Sequence, residues 1–172
     1  GIGWDCISDK LRHEIVDNSV KEVTDEYGNT ILNSSARNQY MINRITRVTD
    51  RTIWALSKHI EAGKFKPQKF EQEIITDTNG IYVKGKIDRI DTFEEDSNLY
   101  VRIIDYKTGA KKFSIKDIYY GLSLQLVVYM KAAMELLKRE NPDKCVIPAG
   151  IFYYNINDPI VDKTDSDENL EK

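Results

Sequence analysis

In the stretch Val101–Phe113, VRIIDYKTGAKKF, an apolar run leads directly into Asp105, Tyr106 and Lys107. Side chains alternate along a strand, so a strand here puts Asp105 and Lys107 on one face. Burying either charge alone is costly, so the pair needs a shared purpose. A second acid, Asp88, stands in GKIDRID beside Ile87 and three residues after Gly85. If the two segments form a hairpin, Asp88 and Asp105 converge near one of its ends. Facing carboxylates repel unless a cation sits between them. Mg²⁺ accepts such oxygens together with water and substrate phosphate. A nearby lysine can orient or help deprotonate a water, or stabilise a charged transition state. Acid, acid and lysine around one metal suit phosphodiester hydrolysis. The same residues also fit a surface hairpin with ordinary ion pairs. Glu71, one segment earlier, either approaches the metal or is solvated or ion-paired. Gly85 leaves room for other backbone to come close.

The elements that must hold these groups follow from periodicity. Residues 7–23 read as a helix capped by Ser8, with Leu11, Ile15, Val16, Ser19 and Val23 on one side. TDEYGNT is a loop. A longer helix runs from Ser34 or Ser35 to Gly63, with Met41, Ile45, Val48, Leu56 and Ile60 as its apolar stripe. Pro67 then breaks the chain. Strands are predicted over 69–76, 81–91 and 98–107, joined by the turns DTNG and TFEEDS. A third helix is predicted over 114–139. The apolar segment VIPAGIFYYNI reads as a last strand, interior to the sheet. The order helix, helix, three strands, helix, strand defines an α/β domain with a mixed sheet flanked by helices. Residues 1–158 are expected to form one domain, and 159–172 a mobile acidic tail.

Composition agrees with a soluble globular domain: 172 residues, 41% hydrophobic and 31% charged. No apolar run approaches a membrane span, and no signal peptide is visible, so no membrane association is expected. Cys6 and Cys145 lie far apart without a Cys-x-x-Cys spacing. They read as reduced thiols in a cytoplasmic protein. The net charge of −3 gives no global basic field, so any nucleic-acid contact must be local. One such feature is present. Arg37, Arg44, Arg47, Arg51 and Lys58 recur at helical spacing and form a basic stripe. It suits a track for a DNA backbone, and equally a solvated face or a subunit contact.

Three segments in order, GKIDRID, IIDYKTG and GLSLQLVVYMKAA, resemble the PD-(D/E)xK nuclease superfamily, in particular its RecB-like branch. The last segment carries that branch's Gln-x-x-x-Tyr element as Gln125 and Tyr129, on one helix face. The flanking sequence, over most of residues 4–162, is similar to the C-terminal nuclease region of AddB-type helicase–nuclease subunits. The resemblance implies a restriction-endonuclease-like core. It implies Mg²⁺, replaceable by Mn²⁺, on Asp88, Asp105 and the carbonyl of Tyr106, with Lys107 as the catalytic lysine. Gln125 and Tyr129 then line the site, touching the lysine or the DNA backbone. By their position alone they also fit core packing with Leu122, Leu126 and Ala133. The family acts on DNA during double-strand break processing and recombination, beside an AddA-type partner subunit.

Three departures qualify the resemblance. The superfamily's first motif, a helical histidine in AddB-like proteins, matches a region upstream of Gly1. His13 is the one histidine on the first helix and reads as a ligand or as a solvated residue. The iron–sulfur cluster implied for the full-length subunit has no counterpart in Cys6 or Cys145. No Walker motif is present. These features suggest a piece of a larger subunit, with Gly1 left by cloning. The readings that remain are a metal-dependent nuclease domain, a non-catalytic DNA-binding or scaffold domain on the same fold, and another RecB-like exonuclease of phage or CRISPR-associated type.

Overall fold

The computed structural model describes residues 7–26, 35–78, 81–109, 114–120 and 124–158, with backbone alone at 76–78 and 81–83. Two helices come first, α1 (Asp9–Glu26) and α2 (Ala36–Ala62). The Ser8 hydroxyl accepts from the Leu11 N–H at 3.3 Å, and that of Ser35 from Asn38 N–H at 3.2 Å. Each satisfies one donor that the first helical turn leaves open. Gly63 ends α2, as its sequence predicts.

Then come β1 (Lys66–Thr78), β2 (Ile81–Glu95), β3 (Asn98–Lys107), α3 (Ile115–Tyr119), α4 (Gln125–Glu140) and β4 (Cys145–Asn155). The sheet order is β1-β2-β3-β4, antiparallel between the first three strands and parallel between β3 and β4. This is the expected mixed sheet flanked by helices. The β2–β3 turn takes only Asp96 and Ser97, with Asp96 at φ 54°, a left-handed conformation that short hairpin turns require. Pro67 does not break the chain before β1. It lies within β1, next to a register shift, on an edge strand where a missing N–H is tolerated.

Ile74, Ile87, Ile90, Leu99, Val101 and Ile103 of the sheet and Leu126, Met130, Ala133 and Leu137 of α4 form the main core. Its central strand is β3, where Val101 and Ile103 are fully buried. On α2 only Leu56 and Ile60 are buried. Met41 and Ile45 of its predicted stripe, and Ile15 and Val23 of α1, are exposed. Val20, Val23, Met41, Ile42 and Ile45 line an open groove between the two helices, which no described strand covers.

Two further expectations change. The predicted helix over 114–139 is two helices: α3 ends at Tyr119, capped by Tyr120, and α4 begins after Leu124. Ile115, Tyr119 and Tyr120 are exposed, so the apolar face of α4 does not continue into α3. The last strand is a sheet edge, not an interior strand. Its apolar residues serve two half-covered faces, and none is buried. The predicted tail and Cys6 lie outside the described residues.

Candidate active site

Regular pleating does not survive in the middle of β2. Ile87 and Ile90 both belong to the α4-side core, although residues three apart point to opposite faces of a regular strand. The pleat therefore changes between them, at Asp88 and Arg89. Opposite, between the pairs Phe70–Arg89 and Gln72–Ile87, Glu71 has φ 49°. A left-handed residue in a ladder locally bends and twists the strand. The β2–β3 ladder ends beside this kink, at the Arg89–Ile104 pair. Two residues further along β3, the Tyr106 N–H donates to Asp88 Oδ2 at 2.8 Å in place of a backbone acceptor.

This arrangement brings the three predicted charges together. Asp105 is 4% exposed and forms an ion pair with the Lys107 ammonium. The oxygen that meets the ammonium is the buried Oδ2. Burial pushes the Asp88 carboxyl above the ordinary carboxylate range; the Tyr106 N–H lowers it, and the charges of Asp105 and Glu71 raise it further. Burial pulls the Lys107 ammonium down, but the hydrogen bond and charge of Asp105, with the charge of Asp88, hold it above the usual lysine range. Lys107 also stands 5.9 Å from the centre of the Tyr153 ring.

A hard divalent cation fits this environment: burial and the charge of Asp105 both disfavour an ionised Asp88, and a cation between the two carboxylates would relieve both. The protein donors available are few. No group of three or more His, Cys, Asp or Glu that could hold a metal occurs among the described residues. Any ion here would rely on two carboxylates, a backbone carbonyl and water. An iron–sulfur cluster has no ligand set among them, since Cys145 is a lone exposed thiol on β4.

The remaining predicted residues fall into distinct positions. Gln125 Nε2 lies 3.2 Å from the Tyr129 hydroxyl. Tyr129 packs partly buried against the main core, over Gly85 of β2, where an added Cβ would come within 2.8 Å of its ring and hydroxyl. What Gly85 admits is thus a side chain from α4, not backbone. Glu71 pairs with Lys86 and remains exposed. His13 is on α1, 3.3 Å from Asp50 of α2, within the helix pair. In the basic stripe, Asp158 takes Arg44 at 2.6 Å and Arg47 at 3.3 Å, and Lys58 pairs with Glu61. Arg37 and Arg51 are exposed on the same helix.

Sequence reasoning passed over a buried charge cluster. Arg89 grips Asp91 through two bonds of 2.8 and 3.0 Å, and Arg102 donates to Asp91 Oδ2 at 2.9 Å. Arg89 Nη1 also donates to the Tyr106 hydroxyl at 2.8 Å. The cluster therefore holds, from behind, the residue between Asp105 and Lys107. Its signal was legible: Arg89 and Asp91 share a strand face between buried isoleucines.

A strand kink that converges two acids and a lysine at the open end of a mixed sheet defines a candidate phosphodiester-cleaving site. The sequence model of the PD-(D/E)XK nuclease superfamily matches residues 5–171, and the chain belongs to that superfamily. Nucleases of this superfamily generally use divalent metal ions. More particularly, it is 41% identical over 172 residues to the B-type subunit of the ATP-dependent helicase/deoxyribonuclease of Lachnoclostridium phytofermentans, covering 99% of this chain and 15% of that protein. The proteins of the same name in Thermoanaerobacter sp. (strain X514) and Clostridium botulinum (strain Hall) are 40% and 35% identical. Those matches cover 95% and 100% of this chain, and 15% and 16% of those proteins. The chain spans about 15% of the length of the curated relatives it matches. No helix among the described residues is long and apolar enough to cross a membrane.

Proposed function

We propose that this chain is the metal-dependent deoxyribonuclease domain of an AddB-type subunit, with residues 1–158 as one domain. The observation that carries the reading is the buried Asp105 oxygen, paired with Lys107 and facing Asp88 across the end of the β2–β3 ladder. Asp88, Asp105 and the Tyr106 carbonyl would hold Mg²⁺, or Mn²⁺ in its place. The bound ion would supply Lewis acidity at the scissile phosphate and a more acidic water. Lys107, kept as an ammonium by Asp105, orients that water or stabilises the negative charge of the pentavalent transition state. Gln125 and Tyr129 form the wall of the site on the α4 side. Arg37, Arg44, Arg47, Arg51 and Lys58 offer a phosphate track on α2.

The relatives are named as B subunits of an ATP-dependent helicase/deoxyribonuclease, which supports DNA as substrate and a partner subunit; the reading adds that the partner is of AddA type and that the setting is cytoplasmic DNA repair and recombination. The test is cleavage of end-labelled linear DNA, single- and double-stranded, with Mg²⁺, Mn²⁺ or EDTA. Cutting should require the metal, and Lys107→Ala should lower it by about 100-fold or more. Cutting by Lys107→Ala at the wild-type rate would overturn the assignment. Salt-sensitive DNA binding without metal-dependent cutting, in this chain and in an N-terminally extended one, would favour the non-catalytic reading.

A further inference from the structure

Helix α3 hides none of its side chains. Ile115, Tyr119 and Tyr120 are 76%, 83% and 64% exposed. The two tyrosine rings meet edge to face, with centroids 5.3 Å apart and planes at 84°. Such exposure leaves most of their aromatic surface open. Contiguous exposed apolar surface of this kind marks an interaction site.

Its place in the chain says what could interact. Lys107 is seven residues before Ser114, so at most about 25 Å of extended backbone separates them. Tyr120 is five residues before Gln125, a limit of about 18 Å. The helix is thus tethered at one end to the strand that carries Asp105 and Lys107. At the other it is tethered to the start of α4, whose Gln125 bonds to Tyr129 over Gly85. Lys116 shares the helix. A five-residue helix is small against the ~800 Å² per partner of a stable protein interface. Two accessible phenol rings tethered within this reach of the candidate phosphate site have instead the chemistry of a base-stacking surface. A base inside a duplex has both faces occupied by its neighbours and a terminal pair offers one, whereas successive bases of a single strand can each turn a face to the rings.

We propose that Tyr119 and Tyr120 form a base-stacking platform for single-stranded DNA at the rim of the active site. The platform grips the nucleotides next to the phosphate held at Asp88, Asp105 and Lys107. This deepens the nuclease reading and rests on it.

The test measures binding of a fluorescent single-stranded oligonucleotide to the chain in EDTA, where no metal-dependent cutting occurs. Replacing both residues, Tyr119→Ala with Tyr120→Ala, should weaken binding about 10-fold or more, from the known range of base–aromatic stacking. The pair Tyr119→Phe with Tyr120→Phe should bind as the wild type does, because the ring is kept. A 2-aminopurine in the oligonucleotide should be quenched by the wild type and the Phe pair, and not by the Ala pair. Oligonucleotides with abasic positions should bind more weakly to the wild type, and the Ala pair should not distinguish them. Unchanged affinity of the Ala pair would overturn the proposal. So would an equal loss for the Phe pair, or an Ala penalty that persists in full on abasic DNA. A changed sedimentation mass with unchanged DNA affinity would instead identify a self-association surface, also overturning it. The binding assay uses no metal and no residue of the cleavage site. Failure of stacking is therefore distinct from failure of the nuclease reading, which Lys107→Ala cleavage decides.

Discussion

Asp88 is held where a carboxylate is uncomfortable without a cation. Burial is the main cause of its raised pKa, and Asp105 adds to it. The sign of the consequence is definite. A folded pKa above the ordinary value of 3.8 stabilises the fold fully below that value, and the stability is lost as pH rises through the raised pKa. At neutral pH the ionised Asp88 is a net cost to the metal-free fold. We predict that Asp88→Asn melts higher than the wild type in EDTA at pH 7, and that the gap closes as pH falls toward the ordinary carboxylate range. The amide oxygen can still accept the Tyr106 N–H. Adding Mn²⁺ should raise the wild-type melting temperature and leave the variant nearly unmoved, while the variant loses cleavage. Differential scanning fluorimetry across pH reads all of this. A variant that melts lower than wild type at pH 7 would refute the argument.

Elements place these residues through close fits. Tyr129 reaches β2 because Gly85 has no Cβ; a methyl there would sit 2.8 Å from the ring. Gly85→Ala should therefore displace Tyr129 and cost about 1–3 kcal/mol, the usual range for overpacking. The clash involves one side chain, so Tyr129→Ala should absorb most of it in a double-mutant cycle of urea denaturation. Across the molecule, Asp158 follows β4 and binds Arg44 and Arg47 of α2. The Arg44 hydrogen bond, aided by the Arg47 charge, lowers the Asp158 pKa, so the tether stays charged at neutral pH. If the α2 stripe tracks phosphates, Asp158 competes with DNA for two of its cations. Asp158→Ala should then tighten DNA binding several-fold at low salt and steepen its salt dependence. Anisotropy titrations at a series of salt concentrations check this, and weaker binding would count against the track.

The whole molecule is held across the sheet by an unusual device. One face carries the apolar core under α4, and the other carries Arg89, Asp91 and Arg102 facing α2. Leu56, His59, Ala62 and Gly63 of α2 line the cavity that these arginines share with Ile104, Phe152 and Tyr154. Arg102 also lies 4.7 Å from the centre of the Phe65 ring. Removing one partner of a buried ion pair leaves an uncompensated charge, commonly at a cost of about 3–5 kcal/mol. Arg102 remains beside Asp91 in Arg89→Met, so the lower part of that range, about 3 kcal/mol, is predicted by urea denaturation. Tyr106 loses its hydroxyl partner in the same variant. Cleavage should therefore fall even at temperatures where the variant is folded, and a higher metal concentration should be needed to restore it.

The sequence alone singled out the candidate site's residues. Asp88, Asp105, Lys107 and the Gln125–Tyr129 pair stand in local patterns, and local pattern is what alternation, helical spacing and family resemblance can read. It also carried β3 in full, the cap at Ser8, a serine cap at Ser34 or Ser35, and the mixed α/β layout, since each depends on neighbours along the chain. Burial and pairing were decided elsewhere. The apolar run of β4 looks like an interior strand, but strand order belongs to the sheet and put it at an edge. Met41 and Ile45 keep helical spacing, but whether a stripe is covered depends on what packs above it. Arg44 and Arg47 look like open cations until Asp158, more than a hundred residues away, comes alongside. Only the tertiary structure could put Asp88 at the end of a ladder, with its carboxylate on the Tyr106 N–H: that contact depends on a kink between two strands, and no single segment encodes it.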